Sequence, residues 1–93
     1  MKNDTNKLAA FYKALSHPAR LEILAKLLIT ETCICKNFVD ELKWAQPTIS
    51  EHLNKLKKVE LISLCEKGTT SEYCLNRRKY EEFLKLHSQF NLK

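Results

Sequence analysis

Gln46-Pro47-Thr48-Ile49-Ser50-Glu51-His52-Leu53-Asn54-Lys55-Leu56 reads as a short helix with two chemically different faces. Pro47 suits the first helical position, where a missing backbone N–H removes no hydrogen bond. Ile49, Leu53 and Leu56 follow one another at spacings of four and three, which places them on a single apolar stripe that faces a core. Thr48, Ser50, Glu51, Asn54, Lys55 and Lys58 are left for water or a partner. The major groove of DNA accepts one helix that presents such donors and acceptors to base edges.

The rest of the chain is organised around this helix. The residue before a proline disfavours helix, so Trp44-Ala45-Gln46-Pro47 is expected to turn, closing a short helix marked by Phe38, Val39 and Leu42. Upstream, Leu8, Phe11, Tyr12 and Leu15 predict an amphipathic helix from about Asp4 to Leu15. Ser16 is expected to cap a second helix with Pro18 in its first turn and Leu21, Leu24, Leu27 and Leu28 along its apolar stripe. Downstream, Leu61–Glu66 and Ser71–Leu75 alternate like paired strands around Gly68. With Lys67-Gly68 as the turn, Ile62 would oppose Tyr73, and Lys67, Thr69 and Thr70 would form the tip. A last helix from about Arg78 to Phe90 carries Tyr80, Phe83, Leu84, Leu86 and Phe90, more apolar surface than one small core requires. The excess points to a dimer face shared with the first helix.

Composition sets the limits. A chain of 93 residues, 44% hydrophobic, is expected to form one domain over residues 1–93, with the N- and C-terminal helices serving dimerisation. The net charge of +5 favours a polyanionic partner. Lys55, Lys57, Lys58 and Lys67 are placed either to meet phosphates or simply to face solvent. No apolar run approaches the roughly 20 residues of a membrane span, and Met1-Lys2-Asn3-Asp4 lacks the order of a signal peptide, so a cytoplasmic location without membrane contact is expected. There is no phosphate-cradling glycine loop, no paired carboxylate signature and no evident base beside a cysteine, so an enzyme is not expected.

The order helix, helix, short helix, polar-faced helix, hairpin, helix is that of a winged helix-turn-helix, mainly α with a small β-hairpin. The local motifs resemble the ArsR/SmtB family of bacterial repressors. The resemblance is carried by Ala14-Leu15-Ser16-His17-Pro18-Ala19-Arg20-Leu21-Glu22-Ile23-Leu24, by Gln46-Pro47-Thr48-Ile49-Ser50-Glu51-His52-Leu53 and by the Gly68 hairpin with Tyr73, across nearly the whole chain. It implies a homodimer on double-stranded operator DNA, with Gln46, Thr48, Ser50 and His52 approaching the DNA and each wing meeting the flanking backbone or minor groove. His52 lies toward the apolar stripe, so packing or hydrogen bonding stands beside base contact as its role. Glu51 either accepts from a cytosine amino group or repels phosphate. Two positions depart from the family: Ala45 replaces a small capping residue, and Glu60 stands where a glycine commonly ends the recognition helix, so looser helix ends are expected.

The four cysteines are expected as thiols, metal ligands or buried residues rather than a disulfide framework. Cys33-Ile34-Cys35 lies where arsenic- and cadmium-responsive members of that family carry a Cys-Val-Cys pair. Thiolates suit As(III), Sb(III), Cd(II) or Zn(II), any of which would act as inducer, with no cofactor required. Two residues apart share a side only on extended chain, so chelation needs the strand-like lead-in of Thr30, Thr32 and Ile34, while Lys36 would favour the thiolates. The resemblance places Phe38 where some relatives supply a third sulfur. Cys65 and Cys74 are expected as half-buried strand residues on one face. The alternatives to soft-ion sensing are oxidation of the same thiols, no sensing at all, or a helical interaction module that never meets DNA. A second family-type site on the last helix would need more than His87; His17 is expected near a helix cap and His87 at the surface.

Overall fold

The computed structural model describes residues 2–30, 33–35, 46–68 and 70–91. Helix α1 spans Lys2–Leu15 and α2 Pro18–Thr30; a two-residue strand β1, Ile34–Cys35, precedes α3, Gln46–Lys58; the hairpin β2, Ile62–Lys67, and β3, Thr70–Leu75, leads to α4, Arg77–Asn91. The expected short helix at Phe38–Leu42 lies outside the described residues, as do Trp44 and Ala45 of the expected turn, whereas Gln46 and Pro47 already belong to α3.

The caps explain the helix boundaries. Ser16 Oγ donates to the Lys13 carbonyl at 2.8 Å and so closes α1 rather than opening α2. The cap of α2 is His17, whose Nδ1 accepts from the Ala19 N–H at 3.0 Å and whose carbonyl accepts from the N–H groups of Arg20 and Leu21. This corrects the expected Ser16 cap: the imidazole supplies the acceptor, and Pro18 takes the position where no donor is needed. Asn76 caps α4 by accepting from the Lys79 N–H on Oδ1 at 3.2 Å, a role its short amide suits.

At the end of α3, Glu60 has a φ of 65°. Its N–H bonds the Lys57 carbonyl at 2.9 Å, and the Leu61 N–H bonds that of Leu56 at 3.2 Å. That pair of bonds is the Schellman closure, completed by the fully buried Leu56 and Leu61. The helix therefore ends tightly, contrary to expectation, with a glutamate in the left-handed conformation.

The core joins α1 (Leu8, Phe11, Leu15), α2 (Ile23, Leu24, Leu27), α3 (Ile49, Leu53, Leu56), Leu61 and Ile62, and Leu86 of α4. The stripe of α3 is as expected. That of α2 is rotated: Ala19, Ile23, Leu24 and Leu27 are buried, whereas Leu21 is 52% exposed. Helices α1 and α4 pack together through Phe11 and Phe83, whose ring centroids are 5.4 Å apart in an edge-to-face contact.

The sheet is three-stranded, ordered β1-β3-β2 and antiparallel throughout. Ile62 opposes Leu75 and Leu64 opposes Tyr73, so the expected register is displaced by two residues. Lys67 pairs with Thr70, so the chain turns at Gly68 between them. Gly68, with φ of 63°, occupies the first central position, where such two-residue hairpins need a positive φ. A two-residue displacement keeps every side chain on its expected face.

Candidate nucleic-acid interface and cysteine cluster

Helix α3 offers a polar face because its apolar one is consumed by the core. Ser50, Glu51, Asn54, Lys55 and Lys58 are exposed and Thr48 is half-buried. Lys55, Lys57 and Lys58 occupy the last turn, where cations also complement the helix dipole. Gln46 opens the helix. In the wing, Lys67 ends β2 and Thr70 begins β3, while Thr69 lies outside the described residues.

His52 is corrected as a DNA contact. It is 5% exposed, so a groove does not reach it. Its Nδ1 accepts from Arg20 Nε at 3.0 Å, and Arg20 Nη1 donates to the carbonyls of Lys13 and Ala14 at 3.1 and 3.3 Å. The His17 ring lies 4.2 Å from that of His52, centroid to centroid. One guanidinium thus joins the end of α1, the start of α2 and the middle of α3. With Nδ1 accepting, the neutral ring carries its proton on Nε2, which is buried without a hydrogen-bond partner among the described residues. Burial holds the His52 pKa below the usual histidine value, reinforced by the His17 and Arg20 charges and opposed by Glu51. The packing role was visible in the spacing, since residues 49, 52, 53 and 56 form one helical stripe.

The cysteines depart furthest from expectation. Strand β1 lies beside β3, with Ile34 opposite Tyr73 and Cys35 opposite Glu72, which brings Cys33 level with Cys74. Their Cα atoms are 4.1 Å apart and the sulfurs form a disulfide. Cys65 retains a free thiol, half-buried, its Sγ 3.6 Å from that of Cys74. Of the expected extended lead-in, Ile34 lies in strand β1, Thr30 instead ends helix α2, and Thr32 lies outside the described residues. The Cys33/Cys35 pair is nevertheless not a chelating dithiolate in this form, because the Cys33 sulfur is committed to Cys74. Among the described residues no group of three His, Cys, Asp or Glu is arranged to hold a metal ion.

Comparison with known proteins fixes the relationship. A sequence profile described as "Bacterial regulatory protein, arsR family" matches residues 17–63, from the α2 cap through α3 into β2. An uncharacterized HTH-type transcriptional regulator of Methanocaldococcus jannaschii is 44% identical over 82 residues, covering 86% of this chain and 90% of that protein. The chain belongs to the ArsR family. It is a transcriptional regulator of that family, with a winged helix-turn-helix fold. A second relative, the arsenical resistance operon repressor of Staphylococcus xylosus, is 37% identical over 70 residues, 75% of this chain and 66% of that protein. The fold matches an ArsR-like transcriptional regulator from Rhodococcus sp. RHA1 with a TM-score of 0.79 at 21% identity, over 95% of this chain and 82% of that one. No described helix is long and apolar enough to cross a membrane.

Proposed function

We propose that this ArsR-family regulator is a repressor that binds double-stranded operator DNA as a homodimer, with α3 in the major groove. The observation that carries the reading is the division of α3: Ile49, Leu53 and Leu56 are buried while Ser50, Glu51, Asn54, Lys55 and Lys58 stand exposed along one surface. Gln46 and Thr48 open the same helix, and the Lys67–Thr70 wing tip serves the flanking backbone. Dimerisation through α1 and α4 is supported by Tyr12 and Phe90, 38% and 62% exposed, beside a cavity of about 360 Å³ lined by Leu8, Ala9, Tyr12, Leu86 and Phe90, with Asp4, Thr5 and Gln89 also on its wall. Fluorescence anisotropy with DNA from the protein's own upstream region tests the reading: affinity should fall linearly with salt on logarithmic axes. A shift that is absent, or indifferent to salt, would revive the protein-interaction reading.

Release from the operator is assigned to the thiols. A soft ion such as As(III), Sb(III), Cd(II) or Zn(II) at Cys33 and Cys35 is supported by the extended chain there and by the arsenical-resistance relative. It requires the Cys33–Cys74 bond to be open. That bond favours oxidation as a second input, one that a reducing cytoplasm would keep reversible. Either ligand or bond must distinguish the DNA-competent from the incompetent dimer to act at all. Phosphine-reduced protein titrated with each ion, and oxidised protein alone, separate the two: release by an ion that requires both Cys33 and Cys35 supports the first, and release on oxidation that requires Cys74 supports the second.

A further inference from the structure

Three sulfurs from three neighbouring segments meet on one face of the sheet. Cys33 precedes β1, Cys74 lies on β3 and Cys65 on β2. Ser63 opposes Cys74 and Cys65 opposes Glu72, so Cys65 sits diagonally from Cys74 on the same face. The 3.6 Å between their sulfurs is van der Waals contact, and Cys65 is a free thiol. A thiolate in contact with a disulfide sulfur is the arrangement from which thiol–disulfide exchange proceeds.

We propose that Cys65 is an exchange partner of the Cys33–Cys74 disulfide. The Cys65 thiolate attacks Cys74 Sγ; the Cys65–Cys74 bond forms, the Cys33–Cys74 bond breaks, and Cys33 leaves as a thiolate that takes up the proton Cys65 released to water. The number of thiols and disulfides is unchanged, so neither oxidant nor reductant is consumed. Side-chain rotation must close 3.6 Å to a bond of about 2.05 Å without altering the strand register.

The exchange moves the crosslink. Cys33 and Cys74 are 41 residues apart in sequence, and the loop they close contains the whole of α3. Cys65 and Cys74 are nine apart and enclose only the hairpin turn. The first bond ties the segment before α3 to the wing; the second leaves it untied while the wing stays oxidised. It also returns Cys33 to the thiol form two positions from Cys35, so a soft ion could draw the exchange forward by mass action without a reductant. The inference deepens the thiol reading above, but its test concerns sulfur connectivity alone and can fail while operator binding stands.

The experiment uses the full chain carrying Cys35→Ser, which limits the sulfurs to these three. Oxidised protein is held at pH 8 without reductant, labelled natively with N-ethylmaleimide, quenched in acid and digested for mass spectrometry. Both Cys33–Cys74 and Cys65–Cys74 peptides are expected, with label divided between Cys65 and Cys33. Adding Cys65→Ser should leave the Cys33–Cys74 peptide and abolish label on Cys33. Label confined to Cys65 beside an undivided Cys33–Cys74 peptide, however long the incubation, overturns the proposal. So does the absence of a Cys33–Cys74 peptide from folded, oxidised protein.

Discussion

Arg20 Nε donates to His52 Nδ1 at 3.0 Å, which fixes the orientation of a buried imidazole on α3 from a residue in the first turn of α2. Arg20 Nη1 also serves two carbonyls at the end of α1, so one side chain links α3 to both preceding helices. Arg20→Ala should lower unfolding stability by about 1–3 kcal/mol in urea titration, since it strands an acceptor away from water. Arg20→Lys should restore little of it, because one ammonium on a flexible stem does not reproduce the fork.

The same network makes stability depend on pH. Burial, with His17 and Arg20, lowers the folded-state pKa of His52 below its ordinary 6.5, so the unfolded chain binds more protons between the two values and stability rises with pH there. The contribution is complete above 6.5 and is lost as the pH falls toward and through the lowered folded value. Urea midpoints measured from pH 8 down to 5 should decline in the parent and decline less in His52→Gln. Equal slopes would show that His52 is not the responsible group.

Oxidised protein should be more stable than Cys74→Ser by about 2–4 kcal/mol, as expected for a crosslink that closes a long loop. Cys35→Ser should leave the oxidised Tm unchanged. Thermal melts with and without reductant check both statements, and a parent indifferent to reductant would count against the disulfide.

Glu60, with its φ of 65°, gives an ordered series. A branched β-carbon fits the left-handed region worse than glutamate does, and glycine fits it best. Glu60→Val should therefore destabilise by at least about 1 kcal/mol, while Glu60→Gly should be neutral or stabilising despite losing the 3.9 Å ion pair with Lys79. Denaturant midpoints that run in the opposite order would refute the capping account.

On DNA, Asn54→Ala should weaken the cognate site more than random sequence, whereas Lys58→Ala should weaken both alike and reduce the salt slope by about one. Glu51→Gln decides between its two readings. Tighter binding to every sequence identifies a carboxylate that repels phosphate; loss of preference at one base pair identifies a cytosine reader.

What could be read from the residues alone was what depends on local pattern. Ile49, Leu53 and Leu56 announced the buried side of α3, and Gly68 announced a hairpin whose faces survived an error of two residues in register. Leu21 breaks the expected pattern because leucine counts as apolar wherever it falls, while Ala19 and Ile23 define the true stripe of α2. His52 was legible as a packing residue from its spacing; its partner Arg20 was not, being brought there from another helix. The cysteine cluster was hidden for a related reason. Nothing in Cys33-Ile34-Cys35 states that two residues will pair with β3, and only that pairing sets Cys33 against Cys74 and leaves Cys65 beside them.

The packing of α1 on α4 bears on how the molecule is made. Phe11 rests against Phe83, so α1 meets α4 only after α3 and the sheet have been synthesised. Until then α1 packs on α2 and α3 without its α4 cover, and the long sequence separation of the contact slows its closure. The last helix thus sets the moment at which the burial of the first is complete.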